Sequence, residues 1–438
     1  MSMQTKSMAI ALLMLAAAQS GCATNGMPDN VQKRILAPAR TAENAGDYER
    51  ALAEYQRVDG IPFAQYRIGR MYEKGLGTAQ DDAQAAHWYQ AAADAGYLWA
   101  QIALANLYDQ GRGVPEDHGA ALELFLEASE FEQSHAYRLD PPRTRAVATY
   151  RAGEMIEKGR GVPANPAAAA DYYRIAAEAG NPDAQFALAE LYREGEGLAA
   201  DPAEAERWYA AAAKGYAGAT GGRAQERLGE MYIDGRGVPK DVMRGLMLLE
   251  GVAQGGRIWT QVKLAQLYEQ GAEGLSPDLG RAVAYYQMAA EAGNRAGLYE
   301  LARLHATGEG VQRDGRRAVE LYEQAGAAGE PRAYRRLGEL YAEGKVVSKD
   351  HAEANRWFAK AAENGDGEAA FRLAEAYERG LGVTPDPMQA LSWYGVARTL
   401  GEERSAERIE QVSARLEQAQ VQQAVSVAEA RQVDPSSP

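Results

Sequence analysis

The chain has 438 residues, of which 46% are hydrophobic and 25% are charged, so it can bury an extended core. Its formal net charge is −14, and this acidity argues against nucleic-acid binding and against direct docking onto anionic lipid. A single cysteine excludes an intramolecular disulfide. The tyrosines and tryptophans recur at regular spacings, described below, and this indicates packing positions rather than a ligand-binding box.

The first segment, Met1–Gly21, has the composition of a signal peptide. Lys6 is its only charge, and it precedes an apolar run of 11 residues, Met8–Ala18. Such a run is too short to cross a bilayer, which takes about 20 residues, and it is typical of a signal-peptide core. We therefore expect residues 1–21 to be a signal peptide.

Cys22 directly follows this leader. The preceding Ser20–Gly21 resembles the lipobox of bacterial lipoproteins, whereas Gln19 stands where that motif usually has leucine. The resemblance implies lipidation at Cys22. Because Ala23 is not the aspartate of inner-membrane retention, it also implies a periplasm-facing protein held in the outer membrane by its lipid alone. Ordinary secretory cleavage after Ala18, which would give a soluble periplasmic protein, is the alternative.

Two segments are expected between this cysteine and the main body of the chain. Residues 22–40 begin with a polar stretch and are predicted to be a tether. Residues 41–60 contain the sequence GDYERALAEY, which predicts an amphipathic helix. Because the terminal units of a repeat array need one polar face, we interpret residues 41–60 as an N-terminal cap formed by half a repeat.

The repeated unit is clearest at residues 184–215. Leu188 and Leu191 belong to one apolar helix face, and Gly195 ends that helix, since glycine readily adopts the positive φ of a helix exit. Asp201 is placed to cap a second helix. The unit therefore predicts two short helices joined by a glycine turn.

Nine such units follow one another over residues 61–401, with four positions in phase. The first turn glycine recurs at intervals of 36, 48, 36, 40, 36, 37, 36 and 36 residues. A capping aspartate or asparagine follows it, then a bulky pair such as Trp88-Tyr89, and a small residue such as Gly69 precedes it. One helix pair cannot bury its apolar face, so the units must stack. The turn glycines are Gly75, Gly111, Gly159, Gly195, Gly235, Gly271, Gly308, Gly344 and Gly380.

These positions resemble the Sel-one-like repeat (SLR), a relative of the tetratricopeptide repeat. Ala224–Asp241 and Asp350–Gly365 meet that pattern almost completely. Departures occur in loops, at Gly271–Gly274 and at Lys345–Val347, where the second turn glycine is missing. The resemblance implies an all-α, right-handed α/α solenoid of about nine units with N- and C-terminal helical caps. It also implies a scaffold rather than an enzyme.

Two stretches break the period. Twelve residues are added within segment 127–145, where Phe131, His135 and Tyr137 stand out. Insertions in a solenoid become loops on one face, often the binding face, so these three are candidate partner-binding residues. A longer helix followed by a loop without function is the alternative. A glycine-rich stretch at 214–223 is predicted to be a flexible joint.

Trp99 and Trp259 each lie 12 residues before a turn glycine. Other repeats have charged residues at this position, such as Asp183 and Arg223, so it is predicted to be partly exposed. Exposed tryptophans offer a rigid apolar face with a polar handle, which suits contacts with protein or sugar. Packing against the preceding helix is the alternative.

Residues 402–438 have a different pattern from the repeats. Glu402–Gln432 contains no glycine or proline, and Ile409, Val412 and Leu416 make a narrow helical stripe. We predict one or two helices that cap the last repeat, followed by a short tail. A partner-binding helix is the alternative.

The sequence offers no recognisable catalytic constellation. Its five histidines are not paired at metal-ligand spacing, and Cys22 is the only cysteine that could act as nucleophile or ligand. The glycine turns follow predicted helices rather than strands and lack the lysine of a phosphate-binding loop. We therefore expect no enzyme activity, no metal and no cofactor.

A lipidated solenoid of this kind resembles in layout the lipoproteins of alginate export. The resemblance implies a scaffold for envelope proteins, among them an outer-membrane β-barrel and periplasmic polysaccharide enzymes, in an exopolysaccharide secretion complex. A second interpretation is an adaptor or regulator of a periplasmic cell-wall or signalling enzyme. A third is a glycan-binding module that uses Trp99, Trp259 and segment 127–145.

Overall fold

The structure, a computed structural model, describes residues 29–130, 141–215 and 219–431. Within these ranges the chain is almost entirely α-helical, and a single isolated β-bridge joins Ala272 to Leu275 in a turn. None of the helices described there is both long enough and apolar enough to span a bilayer.

Several predicted features lie outside the described residues and stay predictions. They are the signal peptide, the lipidation site, the start of the tether, the candidate side chains of the insertion, three residues of the glycine-rich joint and the C-terminal tail. These features comprise residues 1–28, which include Cys22; the insertion residues Phe131, His135 and Tyr137; residues 216–218; and residues 432–438.

Two helices, α1 (Asp29–Asn44) and α2 (Tyr48–Gln56), precede the repeats. Together they form a helix pair. The sequence predicts a tether up to residue 40 and half a repeat after it, so the structure differs from both predictions. Leu36 and Ala39 lie on one face of α1 and are buried in one cluster with Tyr55 of α2. This small apolar stripe is enough to fold the segment because α2 covers it.

Each of the nine repeats consists of an A helix, a turn and a B helix. The A and B helices of repeats 1 to 9 are α3 (Pro62–Lys74) and α4 (Asp82–Asp94), α5 (Leu98–Gln110) and α6 (His118–Glu130), α7 (Pro141–Lys158) and α8 (Pro166–Glu178), α9 (Pro182–Glu194) and α10 (Pro202–Gly215), α11 (Ala219–Asp234) and α12 (Val242–Gln254), α13 (Ile258–Gln270) and α14 (Leu279–Glu291), α15 (Arg295–Thr307) and α16 (Gly315–Ala327), α17 (Pro331–Glu343) and α18 (His351–Glu363), and α19 (Gly367–Arg379) and α20 (Pro387–Thr399). The predicted all-α solenoid of about nine units is confirmed.

The chain divides into two compact units, Met1–Lys240 and Asp241–Pro438, and the division falls between α11 and α12. Within each unit, every repeat helix packs against the helices next to it in sequence. The two breaks in the period are partly helical. α7 takes up the end of the insertion, and α11 begins at Ala219 inside the stretch predicted to be a flexible joint.

The predicted capping residue is confirmed at the B helix of every repeat. Its side chain accepts a hydrogen bond from the backbone N–H three residues later, as Asp81 does from Gln84 at 2.9 Å. The backbone N–H of the cap itself donates to the preceding A helix, as Asp201 does to the carbonyl of Tyr192 at 2.9 Å. That donor is therefore occupied, and Glu204 binds Arg207 instead of closing a capping box.

The second glycine of the turn lies against the start of the preceding B helix. A Cβ on Gly113 would be 2.2 Å from the backbone of Asp82, and the φ of Gly113 is +69°. Repeat 8 has Val346 instead of this glycine, and there the glycine is on the other side of the contact. A Cβ on Gly315, the first residue of α16, would be 2.3 Å from the carbonyl oxygen of Val346.

The second member of each bulky pair is a core residue. These residues are Tyr89, Phe125, Tyr173, Tyr209, Leu249, Tyr286, Tyr322, Phe358 and Tyr394, and all are buried. The small residue makes room for this ring: a Cβ on Gly69 would be 2.7 Å from Tyr89, and one on Gly338 would be 2.5 Å from Phe358. The predicted close approach of the two helices is confirmed in these repeats.

Two helices, α21 (Ser405–Ser413) and α22 (Gln418–Ala430), follow the last repeat and pack against α20. Val412 and Ala424 are buried there. Arg431 places its guanidinium 4.3 Å from the ring centroid of Trp393. The segment therefore covers the last repeat, in agreement with the predicted helical cap.

Candidate functional site

Trp99 and Trp259, the candidate contact residues, occupy the second position of the A helices α5 and α13. Trp99 is 37% exposed and Trp259 is 59% exposed, so each ring leaves part of its surface in water. Phe63, at the same position of α3, is partly buried and meets Tyr55 and Tyr97 edge-on, with 6.3 Å between ring centroids in each pair. One repeat position thus carries both packed and exposed aromatic rings.

Arginines at this same position contact the preceding A helix. The guanidinium of Arg223 lies 4.4 Å from the ring centroid of Phe186, and that of Arg332 lies 4.7 Å from the ring of Tyr299. In such cation–π contacts the charged guanidinium itself covers the aromatic face. This explains how the position accepts both charge and tryptophan.

A repeated polar contact that was not predicted from the sequence ties the buried B-helix tyrosine to the A helix in four repeats. The Tyr89 hydroxyl donates to Glu73 at 2.7 Å, and Tyr394 donates to Glu378 at 2.9 Å. Equivalent pairs join Tyr173 to Glu157 and Tyr286 to Glu269. Burial raises the pKa of all four tyrosines, to about 12 at Tyr394, so the hydroxyls stay protonated donors.

An arginine from beyond the turn often joins this contact. Arg112 of repeat 2 binds Asp82 at 2.8 Å and reaches Glu73 at 3.4 Å, both in repeat 1. After repeat 9, Arg408 binds Glu378 at 2.6 Å. Because these arginines pair with carboxylates of the preceding repeat, the contact links neighbouring repeats as well as the helices within one.

Repeat 4 shows the most connected form of this network. Glu190 accepts hydrogen bonds from Tyr209, from Arg193 at 2.8 Å and from Arg227 of the next repeat at 3.2 Å. Burial alone would raise the pKa of Glu190, but the hydrogen bonds from Tyr209 and Arg193 outweigh it and hold the pKa below its ordinary value. The carboxylate is thus kept charged.

Repeat 8 has a cavity of about 360 Å³, lined by the two residues at the positions of the tyrosine–glutamate pair, Phe358 and Ala342. It lies between α17, α18 and α19. Phe358, Ala342 and Leu381 contribute apolar surface, and arginines and glutamates of α17 and α19, among them Arg372 and Glu375, supply the charged lining. This cavity is a second candidate recognition feature beside the exposed tryptophans.

No set of three His, Cys, Asp or Glu side chains in the described ranges is arranged to hold a metal ion. The contacts above instead link helices and repeats. In the described part of the chain, the features suited to recognition are the exposed aromatic rings of the A helices and the charged cavity of repeat 8.

Several known proteins are similar to this chain. The protective antigen c5321 of uropathogenic Escherichia coli, described as displaying an SLR fold, is 30% identical with a TM-score of 0.55, and the match covers 88% of this chain and 79% of that one. A Sel1 repeat protein from Oxalobacter formigenes is 28% identical with a TM-score of 0.48, and the match covers 58% and 96% of the two chains.

A curated relative, the uncharacterized protein NMB1327 of Neisseria meningitidis serogroup B, is 28% identical over 156 residues. The match covers 31% of this chain and 33% of the relative, so this chain spans only a third of that protein's length.

The model of the Sel1 repeat matches nine segments of the chain, at residues 62–97, 100–130, 146–181, 182–215, 222–250, 260–294, 295–330, 331–366 and 367–402. These segments coincide with the nine helix pairs described above. Proteins built from Sel1 repeats are generally scaffolds for protein–protein interaction, and the fold is typically non-catalytic. The match extends over most of the chain, and the protein belongs to the Sel1 repeat family.

Proposed function

We propose that the protein is a non-catalytic scaffold lipoprotein of the bacterial envelope that binds partner proteins through its A helices. The exposed tryptophans of α5 and α13 carry this proposal. A ring that is 59% exposed, as at Trp259, leaves apolar surface in water that a partner can cover. Large aromatic side chains are also the residues that most often dominate binding energy in protein interfaces.

The envelope location rests on the leader sequence and on Cys22. A lipid on this cysteine would place the repeats beside the outer membrane, where an array of nine units offers room for more than one partner. The specific complex that we propose is one for exopolysaccharide secretion, as in alginate export, with a secretion barrel and periplasmic polysaccharide enzymes as partners.

Site-specific crosslinking tests the binding surface. A photoreactive phenylalanine is placed at Trp99 or at Trp259, and the products are identified after irradiation of cells. Ile175 of the B helix α8 is the matched control, since it is also an apolar residue and is 59% exposed. We expect defined protein adducts from positions 99 and 259 and none of these from position 175.

The identity of the adducts separates the interpretations. A secretion barrel or a polysaccharide-modifying enzyme supports the exopolysaccharide scaffold. A cell-wall enzyme or a sensor kinase supports an adaptor instead. Binding of a purified polysaccharide by the isolated protein, with no protein adduct in cells, would contradict the scaffold and support a glycan-binding module.

A further inference from the structure

We propose that the cavity of repeat 8 binds an aspartate or glutamate side chain of a partner protein. The inference rests on the proposed scaffold function and assigns one specific recognition site to it. The site lies entirely within one of the two units, between α17, α18 and α19. Exposed tryptophans play no part in it, so the two surfaces can be tested separately.

Two side chains of the repeat network are missing beside this cavity. In repeats 1, 3, 6 and 9 a glutamate stands two residues before the turn glycine and accepts a hydrogen bond from the tyrosine of the B helix. Repeat 8 has Ala342 and Phe358 at these two positions. It therefore lacks both the carboxylate and the hydroxyl that repeats 1, 3, 6 and 9 have at these positions.

An arginine of the next repeat stands beside this position. The parallel is repeat 2, which also has phenylalanine on its B helix and has Asp109 two residues before its turn glycine. Arg151, eight residues before the turn glycine of repeat 3, lies 3.6 Å from Asp109. Arg372 is at the same position of repeat 9 and lines the cavity above Ala342.

Arg372 is left with partners on its own helix. It binds Glu368 at 2.8 Å and lies 3.7 Å from Glu375, four residues before it and three after it. Its side chain is 48% exposed, and exposed pairs of this kind contribute little to stability. A carboxylate from a partner can therefore replace these contacts at small cost.

The lining favours a carboxylate over a phosphate. Arg336 and Arg379 add two further cations, but Glu339, Glu343 and Glu375 also line the cavity. These glutamates would repel a doubly charged phosphate more strongly than a singly charged carboxylate. Phe358 and Leu381 provide apolar surface for the methylene groups of the guest side chain. The occupant that fits is a carboxylate side chain, which repeats 1, 2, 3, 6 and 9 supply themselves at the position of Ala342.

The probe is a pair of blocked peptides, acetyl-Ala-Glu-Ala-amide and acetyl-Ala-Gln-Ala-amide, added to the intact protein. Their binding is measured by saturation-transfer NMR. We expect the glutamate peptide to bind at least tenfold more tightly than the glutamine peptide, because only the charged side chain makes charge-assisted hydrogen bonds to the arginines. Equal binding of the two peptides would overturn the proposal.

The variant Ala342→Glu fills the cavity with the carboxylate of the other repeats and should abolish peptide binding. Ala306→Glu is its matched control, since Ala306 is at the same position of repeat 7 and does not line the cavity. It should bind the peptide as the wild type does. Retained binding in Ala342→Glu, with the thermal transition unchanged, would contradict the assignment.

A second variant covers the case in which the first does not fold. Arg372→Gln changes a half-exposed side chain and should weaken glutamate-peptide binding about tenfold without affecting the thermal transition. Unchanged affinity would overturn the proposal. The crosslinking at Trp99 and Trp259 is an independent result: adducts without peptide binding reject the cavity site alone, and peptide binding without adducts rejects the aromatic surface alone.

Discussion

At the scale of single residues, the second turn glycine does more than permit a positive φ. Gly113 and Gly180 both have positive φ, at +69° and +85°. A Cβ on Gly113 would be 2.2 Å from the backbone of Asp82, whereas a Cβ on Gly180 would have no heavy atom within 4 Å. Substituting the two glycines therefore distinguishes the cost of backbone strain, which both share, from the cost of close approach, which applies only to Gly113.

Gly113→Ala should destabilise the protein more than Gly180→Ala does. Both variants cost about 1–2 kcal/mol for an alanine in the left-handed region. Gly113→Ala adds about 1–3 kcal/mol, because α4 must move away from the turn. Urea unfolding of the two variants measures the difference. Equal losses of unfolding free energy would show that α4 can move away from the turn at no cost in stability.

The network around Glu190 makes a prediction about pH. Because its pKa is held below the ordinary value of 4.5 when folded, the unfolded chain binds the proton more tightly. The stability that this carboxylate contributes is present above pH 4.5 and is lost as the pH falls through the folded pKa. We expect Glu190→Gln to be less stable than the wild type at pH 7.

The difference in unfolding free energy between the wild type and Glu190→Gln should become smaller as the pH falls from 4.5 toward 3. Unfolding midpoints in urea across this range provide the measurement. In a Tyr209→Phe background, Glu190→Gln should cost less stability, because the hydroxyl that donates to Glu190 has already been removed. Phenylalanine occupies this position in repeats 2 and 8. Parallel pH profiles for wild type and Glu190→Gln would contradict the role assigned to the carboxylate.

At the scale of helices and turns, repeat 8 shows that a contact can be preserved while its residues are exchanged. The turn of repeat 8 has Val346 where other turns have the second glycine, and Gly315, the first residue of α16, lies opposite it. Gly315→Ala should therefore destabilise the protein, although alanine normally favours a helix. The expected loss is about 1–3 kcal/mol, because a Cβ there would be 2.3 Å from the carbonyl oxygen of Val346.

Gly280→Ala is the control for this helix-start position. Gly280 lies in the first turn of α14, and a Cβ there would meet only Asp278 Oδ1, at 3.4 Å, which is an ordinary contact. Gly280→Ala should thus be neutral or stabilising by up to about 1 kcal/mol. Thermal transitions of the two variants test the pair, and similar values for both would refute the compensation.

Caps and turns were predictable from the sequence because each depends on a few adjacent residues. The aspartate caps, the turn glycines and the small residue facing each ring follow from local spacing. The tyrosine–glutamate contact joins residues about 16 positions apart, as Tyr89 to Glu73. No local spacing rule marks this contact in the sequence. The helix α1 was missed because its short apolar stripe is buried only once α2 covers it.

The candidate surface depended on information that spacing alone does not carry. A tryptophan 12 residues before a turn glycine has the same local context as Phe63, yet Phe63 is partly buried and Trp259 is exposed. The difference comes from the neighbours that each repeat supplies: Phe63 lies between Tyr55 and Tyr97, whereas Trp259 is approached by Lys263 of its own helix. A cavity such as that of repeat 8 can likewise be predicted from the sequence only by comparing several repeats.

At the scale of the whole molecule, stability comes from contacts between neighbouring repeats, as expected for a linear array. Arginines that reach back across a turn, such as Arg112 to Asp82, repeat this link along each unit. Asp109 and Glu190 are likewise paired with arginines of the next repeat, Arg160 and Arg227. Changes inside one repeat should affect it and its neighbours while leaving distant binding surfaces intact.

The proposed anchor makes the last prediction. Cys22→Ser should release the protein from the membrane pellet into the soluble periplasmic fraction, because one lipidated residue is the only membrane attachment that we propose. Mass analysis of the mature N-terminus tests the same point: a lipid-modified peptide beginning at Cys22 supports it, and an unmodified peptide beginning at Gln19 supports secretory cleavage after Ala18.

Ala23→Asp is the companion variant. It creates the residue that resembles an inner-membrane retention signal and should move the protein from the outer to the inner membrane, while the lipid stays on Cys22. A protein that remains in the pellet as Cys22→Ser would disprove the lipid anchor. If Ala23→Asp leaves the distribution unchanged while Cys22→Ser releases the protein, the anchor is correct and the outer-membrane assignment loses its sequence basis.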